Sequence, residues 1–572
     1  MAVFKTDLQD IYFNLFDVNN VGEHAPDYGD DELKDIVEQF NKFTENEIYP
    51  TRMIGDEEGV KMVDGHVKVP ASFHGPHKQF YENGWYALGY PENIGGMPAP
   101  HAISITCNSI AIGANVSFSM YYGLTRGAMN VIHQVGTQAQ KDFYVSKMMT
   151  GEWGGTMCLT EPGAGSDVGA SNTTAKPIDG GKYSINGVKI FISSGESDLY
   201  ENNIHLVLAR TPGAPEGTKG LSLFIVPRFN TDSGESNNVV CTKIEEKMGI
   251  HGSATCELTF GENGECVGEL IGKEFEGMAN MFIMMNEARL LCGLQGEAQA
   301  NLAYMLTEQY AKERTQFGVE ICNLPDVRRL MLKMRALSRG MRALTLYTGN
   351  LFDKEEKGDE IAAKEIALLT PICKAYCSDQ GFNVSVDAVQ VHGGYGFCTE
   401  YGIEQFIRDT KIASIYEGTN GIQAIDFVTR KILKDKAHTF FEVGKKIQAV
   451  MNTEEAKEFD HENSMIGKSM EMSEKILAKF GEMAAKKNHN GILSHATDFL
   501  DYCGNLVVAW LLLEHACIAK KKLAGKVSDE EKKYYQSKIV DYKVFCQYQL
   551  VKNIGIGNSV LNFENNLMEL EL

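Results

Sequence analysis

The chain has 572 residues, of which 43% are apolar and 23% charged. That composition is globular, and the length is sized for three or four domains rather than one core. A formal net charge of −21 repels phosphate backbones and anionic lipid, which sets nucleic acid aside as a partner.

The N-terminal stretch, Met1-Ala-Val-Phe-Lys-Thr-Asp7, lacks the basic region and apolar run of a signal peptide. The longest clean apolar run, Leu506 to Leu513, is too short to span a bilayer and reads as a buried helix. The expected location is the cytoplasm, with no membrane span. The 13 cysteines are scattered without a Cys-x-x-Cys pair and read as buried reduced thiols; Cys373 and Cys377 lie one helical turn apart.

In chain order, Asp31 to Phe43 repeats apolar residues at helical spacing through Leu33, Ile36, Val37, Phe40 and Phe43. Gly84 to Gly96 is dense in turn formers and reads as a loop. Ala102 to Gln134 reads as a buried helix pair. From Lys182 to Phe260 the pattern alternates and is rich in β-branched residues. Asn186-Gly187 is a hairpin signal there, and Ile204 to Ala209, Leu221 to Val226 and Thr255 to Phe260 read as strands. Helical texture returns near Met278, with Leu294, Ala298, Leu302, Met305 and Leu306 on one face. Thr370-Pro371 reads as an N-cap opening a helix toward Gln390. Beyond Asp435 the chain stays helical, and Ser528 with Glu531 forms a capping box. The expected domains are helical over 1–155, β over 156–275, a helical bundle over 276–434 and a further helical domain over 435–572.

Four segments carry the chemistry. Met157-Cys-Leu-Thr-Glu-Pro-Gly-Ala-Gly-Ser-Asp-Val168 places Gly163, Gly165 and Gly169 where the backbone can approach a large planar or phosphorylated ligand, with hydroxyls at Thr160 and Ser166. It is not the dinucleotide fingerprint, since Val168 stands at the last glycine position, and alone it reads equally as a tight loop. Arg314-Thr-Gln-Phe-Gly318 follows a helix whose end Arg314 could cap. Gln390-Val-His-Gly-Gly-Tyr-Gly-Phe397 puts two glycines after a helix, a C-cap pattern, and His392 reads as a packed, hydrogen-bonded side chain rather than a metal ligand. Ile415-Tyr-Glu-Gly-Thr-Asn420 alone is an exposed turn.

Together, in this order and at these separations, the four segments resemble the acyl-CoA dehydrogenases over roughly residues 35 to 430. The extra length at both ends resembles the enlarged bacterial branch, which includes methylthiopropionyl-CoA and long-chain enzymes. The resemblance implies an α+β fold: an N-terminal helical domain, a middle β-barrel or sandwich, a four-helix bundle and an additional C-terminal helical domain. It implies FAD as cofactor, an acyl-CoA substrate, an electron-transfer flavoprotein as partner, and Glu417 as the base at the substrate α carbon. FAD contacts are implied at Met157, Leu159, Thr160, Gly165, Ser166, Phe191, Ser193, Arg314, Gln316, Phe317, Gln390, Val391, Gly393, Gly394, Thr419 and Gly421, the Gln390 stretch across a subunit interface. Substrate contacts are implied at Ser166, Asn286, Arg289, Tyr416 and Gly418, with a surface salt bridge as the plainer reading of Arg289. Some relatives carry the base near this chain's Ala288; alanine there supports Glu417, and Glu287 is a poor second candidate. Phe191 and Ser193 stand where many relatives have tryptophan and threonine, and Pro325 where many offer a polar side chain, so altered flavin contacts are expected. On an acidic chain the CoA tail needs local basic groups.

The same fold serves acyl-CoA oxidases and non-catalytic, DNA-associated flavoproteins. The latter need a basic face, and the best basic stretch, Lys520-Lys-Lys522 with Lys526, Lys532 and Lys533, is interleaved with Asp529, Glu530 and Glu531. The C-terminal domain is expected to cover the face through which shorter relatives form tetramers, leaving a homodimer.

Overall fold

The structure, a computed structural model, describes residues 3–562 with 568, 570 and 571; side chains at 282–286 lie outside the description. The main helices are α1 (Asp30–Phe43), α2 (His101–Ala114), α3 (Val116–Val135), α4 (Gly277–Glu313), α5 (Pro325–Glu356), α6 (Glu360–His392), α7 (Asn420–Asp426), α8 (His438–Met451), α9 (Asp460–Ala485), α10 (Ala496–Leu523), α11 (Asp529–Phe545) and α12 (Lys552–Asn562). Eight strands lie between α3 and α4: β1 (Trp153–Cys158), β2 (Thr174–Pro177), β3 (Tyr183–Ser193), β4 (Asn202–Arg210), β5 (Leu221–Pro227), β6 (Val239–Ile244), β7 (Thr255–Phe260) and β8 (Val267–Ile271). The chain forms two compact units, Gln39–Ala99 with Ala114–Ala288, and Met1–Glu38 with Pro100–Gly113 and Arg289–Leu572.

The first of these units holds the sheet, in the order β8-β5-β4-β2-β3-β7-β6, with β1 parallel to β4. β8 pairs with both β5 and β3, closing part of the sheet on itself. β4 and β5 are almost continuously buried, as a strand covered on both faces must be. The hairpin expected at Asn186-Gly187 is not there: both residues lie inside β3, and the chain reverses at Asp179–Gly181, where Gly180 and Gly181 have positive φ. A run of Asp-Gly-Gly outcompeted Asn-Gly for the turn.

The second unit is helical. The helix expected to open at Thr370-Pro371 begins instead at Glu360, where Asp359 Oδ1 accepts from the N–H groups of Ile361 (2.9 Å) and Ala362 (3.1 Å). Pro371 sits inside α6, and the Thr370 hydroxyl donates back to Ile366 O at 2.7 Å. Burial from Leu368 through Ser378 holds the helix through the residue that should break it. The Ser528–Glu531 capping box forms as expected. α10 is long and apolar enough to cross a membrane by length and composition, but its residues from Tyr502 to Leu513 are buried in the protein. It packs on α5 and α6: a Cβ added to Gly340 would lie 2.5 Å from Val508, and one added to Gly504 2.4 Å from Tyr376. All cysteines are unpaired, and all but Cys322 and Cys398 are buried.

Both ends of the chain meet on α5. Asp10, fully buried, accepts from Lys538 at 2.6 Å, Arg342 at 3.0 Å and the Tyr534 hydroxyl at 3.1 Å. Burial opposes its charge, but Lys538, Arg339 and Arg342 hold the carboxyl far below the usual range. Arg339 also bridges Asp7 (2.8 Å) and Asp541 (2.9 Å). Such a cluster contributes little net stability when whole, yet losing one member costs about 3–5 kcal/mol because the others remain buried and unpaired.

α4 and α6 cross at backbone contact. A Cβ on Gly293 would lie 2.4 Å from Cys373 O, one on Gly296 2.1 Å from Cys377 O, and one on Gly381 2.3 Å from Gly296 O. Gly296→Ala is therefore expected to destabilise this unit by about 1–3 kcal/mol, read as a lower urea midpoint; an unchanged midpoint would show that the crossing has slack.

Candidate active site

In the β unit, the loop after β1 is fixed by a buried ion pair. Lys189 Nζ, on β3, donates to Glu161 Oε1 at 2.7 Å and to Leu159 O at 3.0 Å. Glu161 also accepts from the Thr173 hydroxyl (2.6 Å) and the N–H groups of Asn172 (2.6 Å) and Thr173 (3.0 Å). Burial works against its charge, and Lys189 overrides burial to keep the carboxyl below its ordinary range. Ile190 N–H donates to Thr160 O at 2.9 Å, which joins this loop to β3. Met157, Leu159 and Thr160 are thus held half-buried, while Gly165 and Ser166 are exposed.

Directly after Ile190 the β3–β7 register shifts between Lys189 and Ile192, and Phe191 takes φ +59. The bulge turns the ring outward, 59% exposed, with Ser193 half-buried two residues on. Glu287, in the same unit, is engaged: it accepts from Asn130 Nδ2 at 2.8 Å and lies 3.6 Å from Arg126 Nε. Asn286 falls among the residues whose side chains lie outside the description.

In the helical unit, Arg314 directly follows α4 and precedes a tight hairpin, Thr315-Gln316 against Val319-Glu320, whose tip Phe317-Gly318 has positive φ at both residues. The Phe317 ring is 91% exposed. Arg314 packs over the Tyr395 ring at 5.3 Å, and no carboxylate lies within ion-pair distance of it among the described residues. Gly393, at φ +63, caps α6 as the glycine pair predicts, its N–H donating to Gln390 O and Val389 O. Gln390, Gly393 and Gly394 are exposed, whereas the Val391 side chain is buried. His392 is packed, with Nδ1 2.8 Å from Ala388 O and its ring stacked on Tyr310 at 4.1 Å.

Glu417 sits in the loop before α7. Both it (φ +56) and Gly418 (φ +80) have left-handed backbones; for a glutamate this is a strained conformation that the surroundings must impose. Three side chains of the turn and of α7 do so. Tyr416 donates its hydroxyl to Gln295 Oε1 on α4, Gln423 Nε2 donates to Glu417 O at 2.9 Å, and Asn420 is bound to α6 through Lys374 Nζ (2.8 Å) and Ser378 Oγ (3.0 Å). Thr419 caps α7, its hydroxyl accepting from Ile422 N–H at 3.3 Å, with Gly421 beside it. Arg289 is not on the surface: its Nη1 donates to Asp426 Oδ2 at 2.8 Å in a buried pair, a correction to the surface salt bridge weighed from sequence. Burial pushes the Glu417 carboxyl above its usual range, opposed by Arg289 and then Lys374.

Sequence reading did not find Lys189, Lys374, Gln295 or Gln423. The two lysines left a trace, since each interrupts an apolar pattern: Lys189 shares the inward strand face of Ile185, and Lys374 stands inside Ile-Cys-Lys-Ala-Tyr-Cys. The two glutamines left none, because their roles depend on the α4–α6 crossing and on a turn closing back on itself.

Successive segments match the models described as acyl-CoA dehydrogenase N-terminal domain (30–152), middle domain (156–262) and C-terminal domain (276–433), and then acetyl-CoA dehydrogenase C-terminal like (443–571). The chain is 38% identical to the 3-methylmercaptopropionyl-CoA dehydrogenase of Ruegeria pomeroyi, over 95% of this chain and 94% of that protein. The chain belongs to the acyl-CoA dehydrogenase family. It is 35% identical to the broad-specificity linear acyl-CoA dehydrogenase FadE5 of Mycobacterium tuberculosis, over 100% of this chain and 99% of that one. An acyl-CoA dehydrogenase from Bacillus anthracis, solved in complex with FAD, shares the fold, with a TM-score of 0.77 at 24% identity over 95% of this chain and 90% of that one.

As a member of this family the chain is an oxidoreductase of acyl-CoA thioesters that uses FAD. Its residues fit that cofactor. Phe191 offers an exposed aromatic face to a planar ring, and Arg314 is a cation without a described carboxylate, suited to a pyrophosphate. Arg314→Gln is expected to weaken FAD binding by about tenfold or more, the worth of one charge-assisted hydrogen bond. The check is the 450-nm flavin absorbance retained after dialysis; full retention would remove Arg314 from the cofactor contacts.

Proposed function

We propose that this protein dehydrogenates an acyl-CoA thioester between its α and β carbons, giving the trans-2-enoyl-CoA, with Glu417 as general base and an electron-transfer flavoprotein as the acceptor of its electrons. The observation that carries the reading is the Glu417 carboxylate, raised by burial and held on a strained turn that three separate contacts maintain. A carboxylate taken out of water is a stronger base than one in solvent. FAD, when bound, supplies the acceptor for the hydride equivalent that leaves the β carbon.

The chain's own groups account for the rest. Glu417 takes the α proton. Its backbone N–H, presented by the left-handed turn, is a donor for the thioester carbonyl, whose polarisation makes that proton acidic. Tyr416 and Gly418 flank the carboxylate, and Tyr416 is fixed to Gln295 on α4. Arg289 acts from within the protein, where its pair with Asp426 holds it close enough to favour the ionised base. The remaining substrate contacts, Ser166 and Asn286, and the cofactor contacts assigned in both units rest on the family resemblance.

The acyl group we assign is a linear chain, with or without a thioether sulfur. The names of the Ruegeria and Mycobacterium relatives support each form in turn. Anaerobic titration with short to long acyl-CoAs and methylthiopropionyl-CoA is expected to bleach the flavin for a subset of these. Glu417→Gln is expected to keep FAD and lose at least about 10³-fold in the rate of bleaching, the upper range for loss of a general base. Reduction of that variant at the wild-type rate would exclude Glu417.

The packing of α10 on α5 and α6 supports the reading that the C-terminal helices cover the face through which shorter relatives form tetramers. The expected assembly is a cytoplasmic homodimer, and a tetramer by light scattering would refute it.

A further inference from the structure

Lys374 lies in the middle of α6 with no exposed surface, flanked by Ile372, Cys373, Ala375 and Tyr376, all buried. Among the described residues no carboxylate stands within ion-pair distance of it. Its described hydrogen bond is to Asn420 Oδ1, at 2.8 Å. Burying an ammonium group without a contacting anion costs several kcal/mol, and nothing about packing α6 calls for a lysine here. Asn420 returns its own amide to Ser378 Oγ (3.0 Å) and Ala375 O (3.3 Å), so one short stretch of α6 grips it from three sides. Asn420 is the third residue after Glu417, across two left-handed positions and the Thr419 cap.

We propose that Lys374 is a positioning residue for Glu417: through Asn420 it anchors the strained turn to α6, and its charge supplies part of the field that keeps the carboxylate ionised. This rests on the reading of Glu417 as the base. The groups facing Lys374 are Cys292 and Arg289 from α4, Asp379 from α6 itself and Glu417 from the loop. Arg289 is already engaged with Asp426, and burial raises the Cys292 thiol to about 12, so at neutral pH it carries no charge. Glu417 and Asp379 are then the anions available to balance Lys374, and Arg289 and Lys374 are the cations acting on Glu417. Burial pushes the Lys374 amine below its ordinary range while those anions push it back up.

The sign of the effect follows. A nearby cation favours the ionised carboxylate, so removing it raises the pH at which Glu417 loses its proton. In Lys374→Met the acid limb of the kcat/KM profile is expected to move upward by roughly one pH unit, with about tenfold lower kcat/KM on the acid side. Lys374→Gln can still donate to Asn420 and is the variant to use if the methionine variant does not fold; the same limb shift is expected. Lys374→Arg keeps the charge without the 2.8 Å fit, so kcat is expected to fall with the limb in place. The limb should be matched by an infrared titration of the Glu417 carboxyl stretch, identified by its loss in Glu417→Gln. A purely structural lysine would instead lower FAD content or melting temperature and leave both titrations unmoved. Folded, FAD-loaded Lys374→Met or Lys374→Gln with an unshifted limb and an unshifted infrared titration would overturn the proposal. Wild-type flavin reduction by Glu417→Gln would instead overturn the assignment of the base, a distinguishable failure.

Discussion

A glutamate at φ +56 does not choose that conformation. An L-residue with a Cβ is disfavoured there by about 1–3 kcal/mol, and the turn exists because neighbours on three elements hold it. Tyr416 reaches α4, Asn420 reaches α6, and Gln423 of α7 closes back on the Glu417 carbonyl. The strain presents the carboxylate and its own N–H from one residue. Glu417 is half-buried there, and its partial withdrawal from water strengthens it as a base.

That arrangement depends in turn on how closely α4 and α6 approach. Glycines at 293, 296 and 381 remove the Cβ atoms that would keep the helices apart. Cys292 and Gln295 on α4 are therefore carried to the same level as Lys374 and Ser378 on α6. Small residues at a helix crossing are commonly credited with packing. In this protein they also set the distance across which Gln295 of α4 and Lys374 and Ser378 of α6 hold the Glu417 turn.

The segments that bear the chemistry were legible in the sequence because they are local. The Gly393-Gly394 pair and the Ser528–Glu531 capping box each act within a few residues. The strands at 204–209, 221–226 and 255–260 were legible from alternation and β-branching, since their burial leaves a direct mark on composition. What failed was also local. Asn186-Gly187 lost the reversal to the neighbouring Asp179–Gly181 turn, and Thr370-Pro371 lost its cap to the burial of α6 from Leu368 through Ser378. What stayed hidden was non-local: the pairing of Lys189 with Glu161, the withdrawal of Arg289 onto Asp426, and the reach of Lys374 to Asn420 across 46 positions. None of these can be read from spacing, because each needs two elements already packed.

The cluster around Asp10 joins residues 528 positions apart. During synthesis the N-terminal segment emerges first and waits for α11, while Arg339 and Arg342 arrive well before Lys538. Until the last helices are made, Asp10 has two guanidinium partners but lacks the amine and the tyrosine that complete its shell. The final closure of the helical unit is therefore a late, long-range event, of the kind that slows folding and leaves an intermediate open to aggregation. A nascent chain stalled before Tyr534 would hold a bundle with a fully buried carboxylate half dressed, and that species is where a chaperone would find its purchase.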